Sequence, residues 1–92
     1  MSQEEINNES IMEFPCEFPI KMMGHDTPKF HAVAISLIES HMGPVSDDAI
    51  KINTSTQGNF VSITVTITAT SQKQLDDIYT DVSDHEDVLM AL

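Results

Sequence analysis

From Phe60 to Thr70 the chain alternates without a break: Val61, Ile63, Val65, Ile67 and Ala69 fall on one parity, Ser62, Thr64, Thr66, Thr68 and Thr70 on the other. Period-two alternation rich in β-branched residues specifies a strand with one apolar face and one hydroxyl face. A strand wetted on one side belongs to a sheet that a second layer covers on one side only. That excludes a doubly covered parallel sheet and a helical bundle, and the rest of the chain has to supply the covering layer.

Two segments can do so. Thr27 caps and Pro28 opens a helix in which Phe30, Val33, Ala34, Leu37, Ile38 and His41 recur at helical spacing, and Gly43-Pro44 stops it, which predicts a helix over 28–42. Ser71 and Gln74 form a capping-box pattern ahead of Leu75, Ile78, Tyr79 and Val82, which predicts a second helix over 72–83, with Asp76 and Asp77 near its positive end. Three further strands are expected. Phe18, Ile20 and Met22 alternate up to Gly24, Ile50 and Ile52 mark a short strand before the Thr54–Asn59 turn, and Val88, Met90 and Leu92 alternate at the end.

The order is therefore β-α-β-β-α-β. Right-handed crossovers around a central hairpin give an α+β, ferredoxin-like fold, a four-stranded antiparallel sheet in the order 4-1-3-2 with two helices on one face. Residues 17–92 are expected to form this single domain, 92 residues being a length suited to one core. Residues 1–16, with Glu4, Glu5, Glu9 and Glu13 among polar side chains, are expected to be a flexible acidic arm.

Charge removes several function classes. Four lysines and no arginine stand against 15 acidic residues, for a net charge of −11. Such a chain repels nucleic-acid phosphates and anionic lipid surfaces alike. No apolar run approaches the roughly 20 residues of a spanning helix. The N-terminus lacks the basic and apolar regions of a secretory signal, and Cys16 is a lone cysteine, so a cytoplasmic, reducing location is expected.

Taken together, Phe14-Pro15-x-x-Phe18, Lys21-x-Met23-Gly24, Gly58-Asn59-Phe60, the Ser62–Thr70 run and Val88-x-Met90-x-Leu92 resemble the YbeD-like family of short, uncharacterised bacterial proteins, over residues 14–92. The resemblance implies a ferredoxin-like fold similar to the ACT regulatory domains that bind small effectors, and a family with no established activity. Where the pattern has an arginine in the last strand this chain has Leu89.

Motifs of other β-α-β-β-α-β classes are missing. The third strand exposes Ser and Thr where RNA-recognition domains stack bases on aromatics, a copper-chaperone loop needs a second cysteine, and acylphosphatase-like catalysis needs an arginine. The four histidines show no metal-ligand spacing, and no cofactor or metal is expected. Six carboxylates among residues 76–87 read as a solvated face or as a docking surface for a basic partner.

Two candidate sites stand out. Gly24, His25, Asp26 and Thr27 lie at the first strand-to-helix junction, where helix N–H groups can meet an effector. In ACT-like modules the corresponding loop contributes to effector binding, although a tight turn and a helix cap account for the same residues. The uncovered sheet face is expected to carry Lys21, Met23, Lys51, Thr64, Thr66, Thr68, Leu89 and Ala91, the least acidic surface of the molecule and one with exposed apolar atoms. The leading function is a non-enzymatic regulatory or protein-interaction module for a small effector or a partner protein, with a weak homodimer as one form of partnership. The alternative is a small enzyme or accessory subunit working at Gly24–Thr27.

Overall fold

The computed structural model describes residues 13–55 and 58–92. Chain order is β1 (Cys16–His25), α1 (Pro28–Met42), a single 3₁₀ turn (Asp47–Ala49), β2 (Ile50–Thr54), β3 (Phe60–Ala69), α2 (Gln72–Asp84) and β4 (Met90–Ala91). The strands form one antiparallel sheet in the order β2-β3-β1-β4, the expected 4-1-3-2 order seen from the other side, with both helices packed on it. Of the arm expected over residues 1–16, residues 1–12 lie outside the described residues. Cys16, assigned to that arm, is instead the first residue of β1 and is paired with Ala69, and Phe14 already packs on the core, because apolar side chains at 14, 16 and 18 share the buried parity of the strand.

Local chemistry sets the helix ends where the sequence puts them. Thr27 Oγ1 accepts the Phe30 N–H at 3.1 Å and Pro28 occupies the first helical position. Gly43 ends α1 at φ 81°, a conformation that favours glycine, and its N–H returns to the Glu39 carbonyl. Ser71 Oγ accepts the Gln74 N–H at 3.1 Å, while the Gln74 side chain reaches one residue further back than a capping box requires and accepts the Thr70 N–H at 2.8 Å.

The core lies between the helices and the inward parity of the sheet. Val61, Ile63, Val65, Ile67 and Ala69 from β3 and Ile20 and Met22 from β1 meet Phe30, Ala34 and Ile38 from α1 and Leu75, Ile78 and Val82 from α2. Fully burying a side chain of this size is worth about 1.5–3 kcal/mol, so the seam between the β1–β3 pair and the helices holds the domain together. His41 of α1 also meets Asp81 of α2 at 2.6 Å.

Pro19 sits inside β1 without breaking it. Lys21 donates its N–H to the Leu92 carbonyl, so Pro19, two residues earlier, directs its donor-less nitrogen to that same flank, beyond the end of β4. Among the described residues β1 is thus a central strand over its second half and an edge strand over its first.

β4 departs from the alternation expected over Val88, Met90 and Leu92. Val88 is buried, but a turn runs through Glu86 and Asp87 and the paired strand starts only at Met90. Met22 pairs with Ala91 and Met23 with Met90. Ala91 therefore packs on the core, contrary to its expected place on the open face, and Met90 and Leu92 are left 52% and 58% exposed. Tyr79 of α2 fastens this short strand: its ring meets Phe18 edge-on at 6.3 Å and its hydroxyl donates to the Leu92 carbonyl at 2.6 Å.

Two stability tests follow from these contacts. A Cβ on Gly24 would stand 2.6 Å from Phe30 Cε1 and 2.8 Å from the Asp87 carbonyl, so Gly24→Ala is expected to cost about 1–3 kcal/mol, read as a lower urea midpoint at unchanged slope. Tyr79→Phe keeps the ring and loses the hydroxyl contact, for an expected loss of about 0.5–1.5 kcal/mol and faster hydrogen exchange at the Lys21 amide. Burial raises the Tyr79 phenol above its ordinary 10.0. The folded state then favours the protonated ring, so the phenol's contribution is whole below pH 10 and is lost as pH rises through the raised value. The Phe variant should lack that part of the alkaline decline.

Candidate functional site

The junction residues are engaged in building the fold. Gly24 is buried against the Phe30 ring and the Asp87 carbonyl. His25 stacks on Phe60 at 5.1 Å between ring centres, Asp26 meets His31 Nε2 at 2.9 Å, and Thr27 caps α1. The helix N-terminus has little left to offer a ligand. Pro28 has no N–H, Phe30 donates to Thr27 Oγ1 and His31 donates to the Thr27 carbonyl, which leaves the Lys29 N–H alone in the first turn. Asp87 closes this corner from the α2–β4 turn, 3.4 Å from Lys29 Nζ. Among the described residues no three His, Cys, Asp or Glu side chains converge as metal ligands. His31, His41 and His85 each face a single aspartate, Asp26, Asp81 and Asp87.

On the sheet's other side, parity brings the second group of candidates together. Lys21 pairs with Thr64 and Thr64 with Lys51, and Leu92 exchanges two backbone hydrogen bonds with Lys21, so Leu92, Lys21, Thr64 and Lys51 form one row across four strands. Two strand spacings place the lysine stems about 10 Å apart. The next row is Met90, Met23, Ser62 and Asn53, and Phe60 with His25 lies beyond it. Thr66 and Thr68 continue the hydroxyl ladder opposite Pro19 and Glu17. Leu89, a candidate from the sequence, is 54% exposed just ahead of β4, its N–H bonded to the Met23 carbonyl.

The sequence reasoning missed Met90, Leu92, Phe60 and Asn53 on this face. Phe60 shares the parity of Ser62 and Thr64 and Asn53 that of Lys51, a signal present in the alternation itself. For Met90 and Leu92 only the β1–β4 register carries the information.

Charge sorts the lysines into two classes. Lys29 pairs with Asp87 and Lys73 with Asp77 at 2.8 Å, whereas Lys21 and Lys51 have no ion-pair partner among the described residues. Glu17, at one end, is the single carboxylate that strand parity puts on this face among the described residues. An otherwise strongly acidic molecule thus turns toward solvent a sheet face with two uncommitted ammonium groups, a hydroxyl ladder and an apolar margin. A cavity of about 140 Å³ lined by Met23, Phe60, Ser62 and Asn53 dents it. On the helix side, Ile35, Ile50, Ile52 and Ile63 line a second groove of about 280 Å³, where Ile52 is 48% exposed because α1 stops short of β2.

Comparison with known proteins places this geometry in a family. The family model described as "Protein of unknown function (DUF493)" matches residues 9–92. The UPF0250 protein of Paraburkholderia phytofirmans is 40% identical over 85 residues, covering 92% of this chain and 96% of its own. UPF0250 protein NE1487 of Nitrosomonas europaea is 37% identical over 87 residues, covering 95% of this chain and all of its own. The solution structure of HP0495 from H. pylori superposes with a TM-score of 0.69 over 100% of this chain and 94% of that one, and at 20% identity it speaks for the fold alone. On the family match and these relatives, the chain belongs to the DUF493/UPF0250 family of small, YbeD-like bacterial proteins whose function is uncharacterised.

Proposed function

We propose that this protein is a non-enzymatic interaction module whose open sheet face docks a partner protein presenting carboxylates beside apolar side chains. The observation that carries this reading is the shared row of Lys21 and Lys51, the two lysines without an ion pair among the described residues, on a face bordered by exposed Met90, Leu92 and Phe60. Exposed ion pairs contribute about 0.2–1 kcal/mol each, so the lysines set orientation and encounter rate while the apolar margin supplies most of the affinity. Charge also selects against mispairing, since the acidic α2 surface repels the carboxylate-bearing segment that the lysines attract.

A protein surface fits better here than a small effector. Ligand sites typically enclose about 300–1,000 Å³. The cavity on the open face is about 140 Å³, and the hollow of about 620 Å³ beside the junction, lined by Asp26, Pro28, His31 and Ala32, is a shallow depression open to solvent rather than an enclosure, next to residues engaged in capping and packing. For the enzyme alternative, no hydrogen bond among the described residues joins the Thr27 hydroxyl, which accepts the Phe30 N–H, to the His25 imidazole, which stacks on Phe60, so no nucleophile–base pair is assembled there.

The test compares three full-length proteins as baits in native cytosol, with captured proteins identified by mass. A partner held by the wild type should be lost, at least tenfold, from Lys21→Glu/Lys51→Glu and retained by Lys29→Glu/Lys73→Glu, which makes the same change in net charge away from the open face. Raising salt from 0.05 to 0.5 M, on the order of the range where the Debye length shrinks severalfold, should weaken the capture. Equal recovery by both double variants would sink the proposal.

A further inference from the structure

β2 is the outer strand of the sheet, and half of its backbone faces outward. Ser55 donates its N–H to the Phe60 carbonyl at 2.9 Å, so along β2 Lys51 and Asn53 aim their backbone groups at β3, while Ile50, Ile52 and Thr54 aim theirs away from the sheet. The Ile50 N–H returns to the Asp47 carbonyl. The Ile50 carbonyl and both backbone groups of Ile52 and of Thr54 have no backbone partner among the described residues. We infer that β2 is a self-pairing edge, through which a second copy of this chain joins antiparallel about a twofold axis at Ile52 to give one continuous sheet.

Among the described residues this edge lacks the guard that Pro19 gives to the outer flank of β1. β2 holds no proline or glycine and pairs with β3 residue for residue, without a bulge. Its central side chain, Ile52, is 48% exposed beside the apolar groove it lines with Ile35 and Ile50.

An axis at Ile52 uses the whole strand. Ile52 then exchanges two hydrogen bonds with Ile52 of the other copy, and each Thr54 N–H meets the Ile50 carbonyl across the seam. The two Ile52 Cα atoms stand about 5.5 Å apart in such a pair, which joins the two grooves into one apolar seam on the helix side. Lys51 falls opposite Asn53, whereas an axis at Lys51 would set the two lysines directly against each other. Charge favours the same contact. From Ala49 to Leu75 the chain has no Asp or Glu, its longest such stretch, so the β2–β3 hairpin is where two molecules of net charge −11 approach with least repulsion. Asp47 and Asp48 of the two copies lie at opposite ends of the antiparallel seam. Both strands are formed before they meet, which spares the ordering cost that a disordered peptide would bring to the same edge. The axis stands across the sheet, so both open faces end on one side, and the inference holds whether or not they dock a partner.

The experiment follows the full-length protein from about 20 µM to about 1 mM, the range proper to a small, weak interface, by sedimentation equilibrium and amide hydrogen exchange. The expected result is a monomer–dimer equilibrium in which the Ile52 and Thr54 amides exchange severalfold more slowly as concentration rises. The Lys51 and Asn53 amides, bonded to β3 in either state, should not change. Thr54→Pro removes an outward N–H and Ile52→Lys charges the seam. Each should move dimerisation at least tenfold higher in concentration while the Ser62 and Thr64 amides stay protected, and Leu89→Lys, ahead of β4 at the other side of the sheet, should not. Salt at about 0.5 M should strengthen association by screening the like net charges, the reverse of its effect on capture by the open face. A protein still monomeric at the top of the range overturns the inference, as does a dimer that Leu89→Lys disrupts and Thr54→Pro leaves intact.

Discussion

Everything in this molecule is keyed to one ladder, the ten-residue antiparallel pairing of β1 with β3 from Cys16 opposite Ala69 to His25 opposite Phe60. Its register decides both faces at once. Moving β1 by a single residue would turn Lys21 and Met23 into the core and put Ile20 and Met22 in water, an error costing several buried side chains. The burial of Ile20, Met22, Val61, Ile63 and Val65 therefore fixes the row of Lys21 and Thr64 as firmly as any contact made on the open face itself.

That link explains which parts could be read before the fold was known. Periodicity alone located both helices to within a residue and the faces of β1, β2 and β3, because each is an uninterrupted pattern whose buried half is apolar. Lys21, Lys51 and the threonines followed by parity. The pattern failed in β4, where Val88, Met90 and Leu92 look like one alternation but the chain bends at Leu89, and the buried Val88 lies outside the paired strand while the other two are exposed. Two paired residues are too few for a sequence period to show its phase, and the tyrosine that anchors them comes from α2, thirteen positions away from Leu92. Ile52 shows a related limit. Its parity is inward, yet it is 48% exposed because cover depends on how far α1 extends across the sheet, which no local pattern encodes.

The same distinction applies to the strand-to-helix junction. Gly24, Asp26 and Thr27 are residue types that bind ligands at helix N-termini and residue types that build turns and caps, so sequence cannot separate the two uses. Their partners can: Phe30 and the Asp87 carbonyl against Gly24, His31 against Asp26, and the Phe30 N–H on Thr27. Lysine pairing is likewise a property of three dimensions, since Lys29 and Asp87 are distant in the chain and adjacent in the structure.

Pro19 has a consequence for how this sheet can grow. Its nitrogen is turned to the flank beyond β4, uncovered among the described residues, so the outward side of β1 offers acceptors at Glu17 and Pro19 but loses a donor midway. An extended peptide sliding alongside to prolong β4 would meet a gap in its hydrogen-bond ladder after Lys21. The sheet thus resists recruitment by stray strands along that flank, and contacts that last there have to be made through side chains on its broad surface rather than through its backbone rim.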